Sequence, residues 1–171
     1  MATPFQVEIV TPERVLFSGQ VDEVSMRTDG GEIAFLARHE DYVGAVDITV
    51  AKLSVVADGS GADSEPTTVL VALHGGFVHV DQEKVSILVS VGELGSEIDV
   101  DRARRALAAA EERFLTEGPA TKPTQQDVEG ETTAPERLSG AMVALLAPDS
   151  AEAAVARAKV RLEAAGAAST N

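Results

Sequence analysis

Cysteine is absent from the 171 residues, which excludes disulfides, thiol nucleophiles and Cys-ligated metal, and leans toward a reducing, cytosolic setting. Tryptophan is absent too, and aromatic residues make up only 4%. A core must therefore be assembled from Val, Ile and Leu, which suits a β-sandwich. No apolar run approaches the ~18 residues of a membrane span. Met1-Ala2-Thr3-Pro4 has neither the basic nor the apolar stretch of a secretory signal, so the expectation is a soluble or peripherally bound chain. Positive charge is scarce as well, with 14 Lys and Arg against 28 Asp and Glu. Residues 1–97 hold 5 against 16, and residues 98–171 hold 9 against 12. A body this acidic excludes nucleic acid as its partner, because phosphate binding needs a basic surface.

What the chain does contain changes character at Ile98-Asp99-Val100-Asp101-Arg102-Ala103. Asp99 is a good N-cap preceded by an apolar residue, and the following run has few β-branched residues, so a helix is expected to start there. Two domains follow from that break: residues 1–96 as an all-β unit, and residues 97–171 as a helical hairpin with a flexible linker at about 116–135.

Alternation and turn residues set out the β unit. Phe5 to Thr11 alternates apolar and polar, Thr11-Pro12-Glu13-Arg14 is a turn, and Arg14–Ser18 reads as a strand closed by Gly19. Val21–Thr28 is an imperfectly alternating strand, Asp29-Gly30-Gly31 a hairpin turn, and Glu32–Leu36 the returning strand. Ala37–Tyr42 is too polar for a core and reads as a surface loop. Ala45–Ala57 is a strand with a bulge near Ala51, and Asp58–Thr67 a polar loop. Thr68–Leu73, Phe77–Val80 and Val85–Val91 complete a count of about eight to ten short strands. The expected architecture is a flattened β-sandwich or barrel. His74 and His79 fall in adjacent strands, with structural or surface roles.

The second half carries two helical stripes. Ala103, Ala106, Leu107, Ala110 and Phe114 form one, and Ala151, Ala154, Val155, Ala158, Leu162 and Ala165 the other. Asp149 with Glu152 marks a start for the second helix, and Gly166 an end. Arg137–Ala147 reads as a short helix between them. Alanine seams bury little apolar area, so the hairpin is expected to be weakly held and able to leave the sandwich.

Basic residues concentrate on these helices: Arg102, Arg104, Arg105 and Arg113 on the first, Arg157, Lys159 and Arg161 on the second. Arg157 and Arg161 are four apart on one face and suit an anion or an acidic protein surface. No nucleophile with a paired base is present, Gly59-Ser60-Gly61 lacks the spacing and lysine of a phosphate loop, and His39, Glu40 and Asp41 are too close in sequence to converge on a metal. Neither catalysis nor a metal is expected.

Several segments in order are similar to those of one known family. Val7 to Gly19, with its Thr-Pro turn and Phe-Ser-Gly corner, Gly31–Leu36 followed by His39, Gly75-Gly76-Phe77-Val78-His79-Val80, and Ala156 to Leu162 resemble the epsilon subunits of bacterial F-type, rotary ATP synthases. That resemblance implies a β-sandwich with a helical hairpin, on the central stalk beside the gamma subunit and the membrane ring of c subunits. It implies a non-catalytic rotor subunit, peripheral on the cytoplasmic face of the cell membrane and touching the membrane only through the complex.

The same resemblance implies particular residues. Arg38, His39, Glu40 and Asp41 would form the loop facing the ring and stalk. Arg104, Arg105, Arg113 and Lys159 would make the inhibitory contact of an extended hairpin with the alpha and beta catalytic subunits. Some family members bind ATP through an Ile/Leu-Asp-x-x-Arg-Ala motif, which Ile98, Asp99, Arg102 and Ala103 match. Glu93, Arg157 and Arg161 resemble further positions of that site. ATP is then a regulatory ligand, with no cofactor required. The plainer reading of the same residues is a helix cap and a solvated or partner-facing basic surface. Two other functions stay open: an ATP-sensing module whose hairpin folds on nucleotide, and a free-standing β-sandwich adaptor.

Overall fold

Seven strands precede two helices in the computed structural model, which describes residues 3–55, 67–117 and 149–168. The strands are β1 (Phe5–Val10), β2 (Val15–Thr28), β3 (Gly31–Phe35), β4 (Tyr42–Val55), β5 (Thr67–Val80), β6 (Lys84–Val89) and β7 (Gly92–Leu94). A single 3-10 turn, Gly95–Glu97, leads to α1 (Val100–Glu117), and α2 spans Ala151–Ala168. The strand order is β1-β6-β5-β4-β2-β3, and β1 also pairs with β2, so the sheet closes on itself as a flattened barrel. Closure removes most free strand edges. β1 meets β6 in parallel and β2 antiparallel.

Fewer and longer strands form than the expected eight to ten, because two glycine signals do not break the chain. Gly19 lies inside β2, paired with Val7. The Gly75-Gly76 pair lies inside β5, whose first part pairs with β7 and whose second part pairs with β6. Gly76 stands against β6 so closely that a Cβ there would collide with the Leu88 carbonyl oxygen. His74 and His79 are thus on one strand, not two. The uneven alternation of Val21–Thr28 is resolved by a register shift against β4 between Val21 and Glu23, which brings Val21 onto the same inner face as Val24 and Met26.

Aliphatic residues fill the barrel as the composition required: Val7, Ile9, Val21, Leu53, Val71, Leu73, Val78 and Ile87, with Phe35 as the largest, are fully buried. Turns are held locally. Thr11 N donates to the Arg14 carbonyl at 2.9 Å. The Asp81 carboxylate accepts from Glu83 N at 2.8 Å and Lys84 N at 2.9 Å, which holds its pKa below the usual carboxylate range.

A second apolar cluster lies outside the barrel. Val50 and Ala72 on the outer face of β4 and β5 pack with Ile98, Ala103, Val160, Ala164 and Ala165. α2 is the middle layer, between α1 and the sheet. Gly95 makes its approach possible, since a Cβ there would meet the Ala164 carbonyl. Asp99 caps α1, its Oδ1 accepting from Arg102 N at 2.9 Å. For α2 the cap is Ser150 and not Asp149: Ser150 Oγ accepts from Ala153 N at 3.2 Å. Gly166 does not end α2, which continues to Ala168. Thr116 lies in the last turn of α1, its hydroxyl donating to the Glu112 carbonyl at 3.0 Å. The remainder of the linker at 116–135, the helix expected at Arg137–Ala147 and the 58–66 loop with Gly59-Ser60-Gly61 lie outside the described residues.

Candidate functional site

Six of the seven residues expected to contact nucleotide line one cleft where the hairpin base meets the sheet. Glu93 comes from β7, Ile98 and Asp99 from the segment capping α1, Arg102 and Ala103 from its first turn, and Arg161 from α2; Glu97 and Ala106 complete a space of about 400 Å³. Arg157, the seventh, does not line it. It lies one turn before Arg161, half-buried, and burial followed by repulsion from Arg161 lowers its pKa while Asp149 opposes the shift.

The carboxylates of the cleft are already engaged. Arg161 Nε donates to Glu93 Oε1 at 2.5 Å, and Glu97 is paired with Arg14 at 2.5 Å. Asp99 is engaged in capping. Three carboxylates therefore face two guanidiniums, and a phosphate entering the cleft has to draw Arg161 away from Glu93. The exposed Arg102 is the guanidinium already turned to solvent.

Beside this cleft is a residue whose part the sequence did not disclose. The side chain of His74 is 1% exposed, and neither ring nitrogen has a hydrogen-bond partner. Its Nε2 lies 3.5 Å from Glu93 Oε1. Burial, then the charges of Arg161 and Arg157, push its pKa down from 6.5 to about 3. The signal was the unbroken apolar run Val69–Leu73 before it, which marks a strand covered on both faces.

The β3–β4 loop gathers Arg38, His39, Glu40 and Asp41, away from the hairpin. Arg38 sits at φ 62°, a left-handed conformation uncommon outside glycine. His39 packs edge-on against Phe35 with centroids 5.0 Å apart. Its Nδ1 is 2.8 Å from the Glu40 carbonyl, which requires the proton on Nδ1. Among the described residues no three His, Cys, Asp or Glu side chains are grouped to hold a metal ion.

The hairpin cations do not form one patch. Arg104 pairs with Asp101 at 3.5 Å, and Arg113 pairs with Glu117 at 3.2 Å and also donates to the Asp149 carbonyl. Arg105 is exposed on α1. Lys159 lies on α2 in a groove with Glu111, Phe114, Leu115, Glu152 and Val155.

A further surface is formed by strand register. Ala45 pairs with Phe77, Phe77 with Leu88, Leu88 with Val10 and Val10 with Val15. Phe77 is 49% exposed, Leu88 51% and Val15 53%, with Val43 at 70% in the adjoining row. An apolar stripe thus crosses five strands on the outside of the barrel.

Comparison with known proteins agrees with this fold and extends it. The family described as ATP synthase, Delta/Epsilon chain, beta-sandwich domain matches residues 4–95, more than half of the chain. The chain belongs to this family. An ATP synthase epsilon chain of Carboxydothermus hydrogenoformans is 39% identical over 119 residues, 70% of this chain and 82% of the relative. One from Halalkalibacterium halodurans is 41% identical over 108 residues, 63% of this chain and 74% of the relative. A chain in the cryo-EM structure of Euglena gracilis mitochondrial ATP synthase, OSCP/F1/c-ring in rotational state 1, shares the fold at TM-score 0.60 and 20% identity, covering 95% of this chain and 81% of that one. As an epsilon-type subunit the chain is a non-catalytic part of a membrane-associated ATP synthase complex, in agreement with the resemblance seen in its motifs.

Proposed function

We propose that this chain is a rotor subunit that couples the c ring to the central stalk through its barrel and restrains ATP hydrolysis through its hairpin. The observation that carries the reading is the contrast between the two packings. The barrel closes on itself with large aliphatic residues, whereas α2 is held to it by alanines, Val160, the partly buried Leu162 and the Glu93–Arg161 pair. A helix so held detaches at a cost of a few kcal/mol without unfolding what lies beneath.

In this reading each partner is assigned a surface. The stripe through Phe77 and Leu88 is the seat for gamma, and the loop of Arg38, His39, Glu40 and Asp41 faces the c ring. Arg104, Arg105, Arg113 and Lys159 meet the acidic face of the alpha and beta subunits once the hairpin extends, exchanging their local partners for it. Among the described residues no helix is long and apolar enough to cross a membrane; the place this reading gives the subunit is peripheral, on the cytoplasmic face.

ATP as a regulatory ligand is favoured by one specific observation, the convergence of Glu93, Ile98, Asp99, Arg102, Ala103 and Arg161 on one cleft. Calorimetric titration with ATP, with and without Mg²⁺, tests it. Binding that disappears in Arg161→Ala or Arg157→Ala supports a hairpin gated by nucleotide. No heat at millimolar ATP leaves Asp99 as a cap and the arginines as a protein-facing surface. Membership of the family favours the rotor over a free-standing adaptor, and co-purification with gamma distinguishes the two.

A further inference from the structure

His74 stands on the outer face of β5, opposite Ile48 of β4, beneath α2. The charged groups that face it are Glu93 from β7 and Arg157 and Arg161 from α2. In the docked hairpin the Glu93 carboxylate is taken by Arg161. His74 is then left enclosed, without a hydrogen-bond partner, under two guanidiniums. A proton on the ring is strongly disfavoured by that arrangement.

Departure of α2 reverses every term. It removes both arginines, uncovers the ring to water and frees Glu93, whose Oε1 is already 3.5 Å from Nε2. We propose that His74 is a proton-operated latch: its imidazolium pairs with Glu93 in place of Arg161, so mild acid shifts the chain from docked to released hairpin. The inference rests on the reading of α2 as the detachable element and adds what controls it.

The sign follows from linkage. With α2 docked the His74 pKa is about 3, and with α2 released it returns to at least the ordinary value of about 6.5, pairing with Glu93 raising it further. Docking is at full strength above that released value, and each unit below it favours release about tenfold until the docked value is reached. The chain has three histidines, and the other two, His39 and His79, lie on the barrel away from α2. Of the three, His74 is the one that α2 covers.

Amide hydrogen exchange on the full chain tests the latch, with rates corrected for the intrinsic pH dependence and read at Val160 and Ala164 in α2 and at Ile87 in the barrel. The wild-type opening constant at α2 rises at least about tenfold from pH 7.5 to 5.5, and that rise is absent in His74→Leu and His74→Gln. A flat wild-type profile, or an equal rise in both variants, overturns the latch. Exchange of α2 no faster than that of Ile87 overturns the detachable hairpin itself. A titration of the wild-type imidazole by NMR needs no variant: a midpoint near pH 6.5 while α2 stays docked also overturns the proposal.

Discussion

Glu93 is a residue with more claimants than it can serve: Arg161 holds its Oε1 at 2.5 Å while His74 waits at 3.5 Å. Removing the carboxylate in Glu93→Gln leaves a partly buried guanidinium without its charged partner. The docked hairpin is expected to lose about 1 kcal/mol, seen as faster exchange of α2 amides with the barrel unchanged. Asp99→Ala removes the cap of α1 and lowers hairpin stability by about 1 kcal/mol in thermal unfolding, while Asp99→Asn retains most of it. At this scale the cap was legible because it depends on residues within one turn. His74 was not, because its burial comes from a helix about eighty residues further along the chain.

Elements were legible where their pattern was local, and blurred where pairing decided. Both helices follow from their alanine stripes, and the Thr11–Arg14 and Asp29–Gly30 turns from their composition. β2 and β5 were each divided at glycines that the sheet in fact accommodates, since Gly76 is required by the approach of β6 and not by a turn. The cap of α2 is one residue later than Asp149, at Ser150, whose hydroxyl accepts from Ala153 N. Packing of α2 sets a prediction of its own. Val160→Ala removes two methyl groups from the cluster with Val50 and Ala72 and weakens docking by about 1–2 kcal/mol. Exchange of α2 amides then rises at least severalfold, while that of Ile87 is unaffected.

For the whole molecule, order of strands and closure of the barrel were beyond the sequence, because parallel pairing of β1 with β6 joins residues far apart in the chain. The exposed stripe was hidden for the same reason: Phe77 and Leu88 are neighbours only through register. Replacement of either by Thr, a good strand residue, removes apolar surface at a half-exposed position and costs the fold about 1 kcal/mol or less. Such variants are expected to lose co-purification with gamma; undiminished association would remove the stripe from the stalk interface. The contrast between a closed barrel and a lightly held hairpin underlies the proposed division of labour. Its most direct test is ATP hydrolysis by the assembled synthase with residues 97–171 of this subunit deleted. The account predicts that the shortened subunit still assembles with gamma and that hydrolysis rises. Hydrolysis equal to that of the intact complex, with gamma still bound, would contradict the hairpin's role as a restraint.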